Sequence, residues 1–282
     1  MISSSDCGKI NAITIKVLYM EYIFYSLICL IATTLGAISG IGGGVIIKPV
    51  LDALAPLTVA QISFLSGCSV LAMSVVSLLT SKTGDAKIDK TRTTPLALGS
   101  AIGGVVGKLL FDCIKSWAVS DGTVGTVQSA IMILLTLGVL LYVLNKTRIN
   151  THNICSIFAC LLIGLILGIL SSFLGIGGGP INLAVLYFFF SMNTKTAALN
   201  SLYMIFFAQT ASLLFTIFSA SVPDTNFITL AVIIISGVIG GFSGRKINKR
   251  MSSKSVDILF CFMLTTIIGI SIYNLIHYIS VL

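Results

Sequence analysis

The residues of most chemical interest in this 282-residue chain are two glycine clusters, Gly40-Ile41-Gly42-Gly43-Gly44 and Gly175-Ile176-Gly177-Gly178-Gly179. Both lie in long apolar surroundings, where each glycine weakens a helix by about 1 kcal/mol relative to alanine. A helix broken there exposes backbone N–H groups. A short helix restarting at Val45 or Pro180 aims the positive end of its dipole at the break, which suits a small anion. Pro180 fits a first helical position, where its missing N–H costs nothing. Two such N-termini facing each other across a pseudo-twofold axis would form an anion site near a membrane midplane. The plainer alternative is that glycines let helices touch, as four-residue spacing suggests for Gly99, Gly103 and Gly107 and for Gly237 and Gly241. Nucleotide binding is excluded by context: the G-x-G-x-x-G spacing, a preceding strand and a following Gly-Lys-Ser/Thr are all missing.

Polar neighbours supply hydrogen bonds. Ser39, Ser171 and Ser172 flank the glycines, Asn182 follows the second cluster, and Asn200-Ser201 lies early in the next helix, where the first half has Leu65-Ser66. Such hydroxyls also commonly bond their own helix backbone. Gln61 and Gln209 are weaker members of the same class. Lys48 has Asp52 four residues on, hence on the same helix face. It either neutralises that carboxylate, adds charge to the anion site, or snorkels to the interface. Lys108, Asp112 and Arg245 read as interfacial. The substrate-binding set expected from these residues is Ser39, Gly40, Gly42, Gly43, Gly44, Lys48, Ser171, Gly175, Gly177, Gly178, Gly179, Asn182, Asn200 and Ser201.

The elements that position this set belong to a membrane protein. The chain is 56% hydrophobic and 9% charged with mean hydropathy +1.07, against about 25% charged residues in a soluble domain. It reads as an all-α integral membrane protein: a polar N-terminal segment 1–17 with Lys9 and Lys16, then a single transmembrane domain, 18–281, whose first span is retained. The formal net charge of +8 sits mostly in short loops, so topology and anionic lipid headgroups explain it better than nucleic acid. Seven scattered cysteines without a C-x-x-C, with only His152 and His277 as imidazoles, indicate neither a disulfide framework nor a metal site.

Eight apolar runs of spanning length lie near 18–39, 58–80, 94–114, 124–144, 154–174, 196–219, 226–244 and 256–281. Shorter pieces, Val45–Leu54 and Pro180–Met192, follow the glycine clusters as half-helices or re-entrant segments. The clusters are 135 residues apart (175 − 40). Gly103-Gly104-x-x-Gly107-Lys108 returns after 137 (240 − 103) as Gly240-Gly241-x-x-Gly244-Arg245, and Gly138-x-x-x-Tyr142 after 131 (269 − 138) as Gly269-x-x-x-Tyr273. The chain is therefore two homologous halves, about 18–144 and 154–281. Equivalent loops carry opposite charge bias. Lys82, Lys87, Lys90 and Arg92 face an uncharged 219–225 except for Asp224, whereas Lys108 and Lys115, offset by Asp112 and Asp121, face Arg245, Lys246, Lys249, Arg250 and Lys254. Inverted repeats predict this if each short segment returns the chain to its starting side, giving five passages per half with both termini outside. In the alternative, eight passages, the two richest basic loops fall on opposite sides.

The segment Gly168-Ile-Leu-Ser171-Ser172-Phe-Leu-Gly175-Ile-Gly-Gly-Gly179, its copy ending Gly40-Ile-Gly-Gly-Gly-Val-Ile-Ile-Lys-Pro49, and the eight-span length resemble the TauE/SafE family of sulfite exporters, the TSUP permeases. The family pattern is matched by Gly168, Ser171, Gly175, Gly177, Gly178 and Gly179, and by Gly40, Gly42, Gly43, Gly44 and Pro49. Ser172, Thr33, Gly36 and Ala37 depart from it. The resemblance implies a permease for a small sulfur-containing anion such as sulfite or a sulfonate.

The expectation is a multi-pass cell (inner) membrane transporter working by alternating access, with a small anionic substrate and membrane lipids as its partners, no nucleic acid and no cofactor. An anion channel is the nearer alternative, since inverted halves and helix breaks also build pores. A membrane-embedded enzyme is the remoter one, because no cluster of acids, histidines or a nucleophile with its base is visible.

Overall fold

The computed structural model describes residues 4–83, 86–118, 121–146 and 148–281, with side chains from Met20 onward except at 82, 83, 121 and 281. Met1–Ser3, the middle of the first basic loop, and the side chains of Lys9, Lys16, Lys82 and Asp121 lie outside the described residues. Ten α-helices follow in order: α1 Ser4–Ser39, α2 Gly44–Leu54, α3 Val59–Leu79, α4 Lys90–Trp117, α5 Asp121–Asn145, α6 Ile157–Phe173, α7 Pro180–Phe190, α8 Thr194–Phe218, α9 Phe227–Arg250 and α10 Ser253–Val281. The described residues contain no strand.

Seven helices, α1 from Met20 and α3, α4, α5, α8, α9 and α10, are long and apolar enough to cross a membrane. The eighth expected span, α6, has 17 residues, about 26 Å of helix against a hydrocarbon core of about 30 Å. Ser156 caps its start through the Ala159 N–H, and the second glycine cluster ends it. The half-helices α2 and α7 have 11 residues each, too few to span. Equivalent caps start the helices after them. Thr58 and Gln61 form a capping box for α3, and the Asn193 side chain accepts from Thr196 N–H at the head of α8.

The halves are interlocked. α1 packs on α9 of the second half, and its counterpart α6 packs on α4 of the first. Backbones meet at both crossings because the facing positions lack side chains. Gly99, Gly103 and Gly107 abut Leu161, Leu165 and Ile169 in that order, and Gly240 and Gly244 abut Thr33 and Thr34. A methyl group at any of them would overlap main-chain or Cβ atoms, so even alanine is too large.

The order of these contacts fixes helix sense. α4 and α6 run the same way, as do α1 and α9, where Asn248 reaches the Ile38 carbonyl farther along than Ser236 reaches Ser26. α3 also runs with α9, since Gly237 meets Ser69 and Gly241 meets Met73. α4 runs with α8: Thr93 bonds Asn200, and Ser100 bonds the Met204 carbonyl. In contrast, Gln61 bonds the Asp224 carbonyl while Gly67 meets Gln209, so α3 and its counterpart α8 run oppositely. Because α1 and α3 share a direction, α2 carries the chain back between them.

Candidate functional site

Each break is a short left-handed excursion. Gly40 and Gly42 have φ of 82° and 81°, and Gly175, Gly177 and Gly178 have 66°, 70° and 127°, a region that L side chains rarely adopt. The excursions end α1 and α6 and start α2 and α7, and neither half-helix has a side-chain cap. The two breaks touch. A Cβ on Gly44 would strike the Ile176 carbonyl, one on Gly42 would lie 3.9 Å from the Gly177 carbonyl, and one on Gly179 would lie 3.9 Å from Val45. Val70 of α3 and Ile205 of α8, equivalent residues, close over this centre: Val70 contacts Gly42 and Gly177, and Ile205 contacts Gly42 and Gly178.

The polar residues expected at the site divide into those the fold brings to this centre and those it does not. Asn182 sits beside Gly178, 3% exposed, its Oδ1 without a partner. Ser201 donates to the Gly40 carbonyl at 2.6 Å. Ser171 lines a small apolar cavity with Gly179 and Pro180. Ser39 donates to Leu35 of its own helix at 2.9 Å. Asn200 is elsewhere. Its Oδ1 accepts from the Asp89 N–H and the Thr93 hydroxyl, and its Nδ2 donates to the Lys87 and Thr196 carbonyls, so it clamps the connection before α4. Lys48 also turns away from the centre, ion-paired at 3.1 Å with Asp52 and facing α5 and α10. Gln61 is spent on the α3 cap and on Asp224.

A second cavity reaches the second break and joins Ser172 and Gln209, both polar candidates in the sequence, to residues outside the expected set. It measures about 40 Å³ and is lined by Ser63, Lys108, Ser172, Gly175, Gln209, Ser212 and Thr216, among others, enough for a few waters or one small oxyanion. Lys108 Nζ lies 2.8 Å from Asp112 and 4.7 Å from the Phe111 ring centre. Ser172 and Ser212 hydroxyls are 2.9 Å apart. The Ser63 hydroxyl has no partner. Among the described residues Gln209 makes no side-chain hydrogen bond, and its amide nitrogen lies by Gly67 and Gly177. The signal was present in the Gly-Gly-x-x-Gly-Lys repeat, whose second copy ends in Arg245.

Arg245 is not interfacial. It is 1% exposed, donates to Asn248 at 3.0 Å, and leaves Nε without a partner. Asn248 in turn donates to the Ile38 carbonyl, two residues before Gly40. Among the described residues no carboxylate pairs with this guanidinium. Each break thus has a cation from the other half's glycine-rich helix, one facing a cavity and one shut in.

The family profile described as Sulfite exporter TauE/SafE matches residues 25–272, which takes in both breaks, the whole of α2 to α9 and most of α10, with the C-terminal part of α1. The chain belongs to the TauE/SafE family. Among curated proteins it is similar to the "Probable membrane transporter protein YunE" of Bacillus subtilis (strain 168), at 25% identity over 276 residues, covering 88% of this chain and 96% of that one. No solved structure matches. As a TauE/SafE protein the chain is a multi-pass membrane transporter, and the motifs that carried the resemblance are the two breaks described above.

Proposed function

We propose that this TauE/SafE protein is a secondary carrier that moves a small sulfur-containing anion, such as sulfite or a sulfonate, by alternating access around the paired glycine breaks. The observation that carries the reading is the meeting of the two breaks, where two uncapped half-helix N-termini direct main-chain dipoles at one place. The binding set is Gly40, Gly42, Gly43, Gly44, Gly175, Gly177, Gly178 and Gly179 with Ser171, Asn182 and Ser201. Ser63, Lys108, Ser172, Gln209 and Ser212 form the approach. The opposite senses of α3 and α8 support inverted halves, in which the loops after α3 and α9 share the cytoplasmic side. The unlike settings of Lys108 and Arg245 support two alternately open approaches. Lys108 meets the anion from outside, and Arg245 meets it after the halves exchange roles.

Proteoliposomes loaded with sulfite, thiosulfate, a sulfonate or a carboxylate test this reading. Saturable uptake, stimulated by the same anion on the far side, is expected for sulfite or a sulfonate. Flux that never saturates and shows no counter-stimulation makes the protein a channel.

A further inference from the structure

A second polar cavity lies away from the glycine centre, between α2, α5, α10 and the residue that ends α6. It measures about 10 Å³ and is lined by Lys48, Asp52, Gln128, Ser271, Asn274 and Leu174, among others, room for a single water-sized occupant. Gln128 Oε1, Ser271 Oγ and Asn274 Oδ1 are buried with no hydrogen-bond partner, and so is Asp52 Oδ1 by distance, although the Tyr278 side chain also lies beside that carboxylate. Gln128, Ser271 and Asn274 are each 2% exposed. The amide orientations are fixed by the main chain. Gln128 Nε2 donates to the Phe173 carbonyl at 2.6 Å and Asn274 Nδ2 to the Pro49 carbonyl at 2.8 Å, and only the nitrogen end of an amide can do that.

Orphaned buried oxygens each cost about 1–3 kcal/mol, so several around one small cavity require an explanation. The fold does not supply one. By the repeat offsets, Lys48, Asp52, Gln128, Ser271 and Asn274 correspond to Leu183, Tyr187, Leu259, Leu140 and Val143, and those residues form part of the apolar core. The same architecture is thus built elsewhere in this molecule without the polar set. A carboxylate, two amide carbonyls and a hydroxyl are hard oxygen donors, the ligand type chosen by hard cations. The carbonyl end of α6, at Phe173, adds negative potential. Because Lys48 is paired with Asp52 the lining carries no net charge, so a bound cation adds one uncompensated charge if monovalent and two if divalent, which disfavours the divalent ion more.

We propose that Asp52, Gln128, Ser271 and Asn274 bind a small hard monovalent cation of sodium size. Through Gln128 and Asn274 this ion is tied to the helix entering the second break and to the half-helix leaving the first. It is therefore placed to couple its own gradient to movement of the anion. The coupling rests on the carrier reading above; the binding does not.

The test is equilibrium binding of radioactive sodium to the purified full chain in detergent, with choline as the replacement cation. One saturable site per chain is expected. Ser271→Ala, which breaks no hydrogen bond, should weaken it at least about tenfold. Asn274→Val with Gln128→Leu, the counterpart residues, should abolish it. No saturable binding in monodisperse protein overturns the site, as does binding that both variants leave unchanged. A melting temperature that responds to pH but not to sodium also overturns it, because the cluster then holds only a proton or a water. Sodium binding in a protein that moves no anion supports the site and counts against the carrier.

Discussion

The pocket beside Lys48 and the packed core beside Leu183 occupy equivalent places in the two halves, each between a half-helix and the pair α5 and α10, which run oppositely because Gly125 meets Tyr278 and Lys146 pairs with Asp257. One is built from an ion pair, two amides and a hydroxyl; the other from leucine, valine and tyrosine. The breaks behave differently. There both halves keep left-handed glycines, Gly40 and Gly42 in one and Gly175, Gly177 and Gly178 in the other, with an aliphatic pair, Val70 and Ile205, closing over them. The halves thus resemble each other in the glycines of the breaks and differ in the side chains beside the half-helices. On the proposed reading, the difference separates the residues of the passage from those of the cation site.

The sharpest way to break that division is to load a break. Gly178→Leu puts a side chain against Ile205 at a φ of 127°, and flux should fall to background while the protein still inserts and remains monodisperse. Normal flux in that variant reduces the glycines to packing. Next in size is the ion pair, whose side chains are 4% and 6% exposed. Lys48→Leu leaves a buried carboxylate alone and should cost about 3–5 kcal/mol, read as a lowered melting temperature. Adding Asp52→Tyr, which copies the other half, should recover most of that loss. No recovery would mean that the two faces are not interchangeable.

Lys108→Ala removes the charge from the approach to the second break. It should weaken anion uptake by about 2 kcal/mol, roughly thirtyfold in the concentration for half-maximal flux. The smallest effect contrasts two equivalent serines. Ser201→Ala loses the bond to the Gly40 carbonyl and should cost about 1 kcal/mol of stability. Ser66→Ala, which removes a buried hydroxyl with no partner, should leave stability unchanged or raise it, and equal losses in the two variants would erase the distinction.

The breaks, the repeat and the half-helices were legible in the sequence because glycine clustering and a 135-residue recurrence are properties of the chain itself. The crossed pairing was not. Gly99, Gly103 and Gly107 announce a close helix contact without naming the partner, and that partner comes from the other half. The same limit explains Asn200. Its position one residue before Ser201 suggested a place at the site, but its four bonds run to residues that only folding brings near. Lys48 and Asp52 were visible as a pair on one helix face. The three neutral residues that complete their cavity are scattered over α5 and α10, at spacings with no recurring pattern.

The crossed pairing also sets an order on how the molecule is made. α6 enters the membrane with its glycine-lined partner α4 already synthesised. α1 has no such partner at hand: Thr33 and the Ser236 carbonyl it contacts are 203 residues apart. At roughly 5–20 residues per second, α1 waits about 10–40 s with the face that will receive Gly240 and Gly244 unsealed. α1 is thus locked against its partner later than α4 and α6 are locked against each other. The first break, which continues from its end, is completed only after α9 has been made.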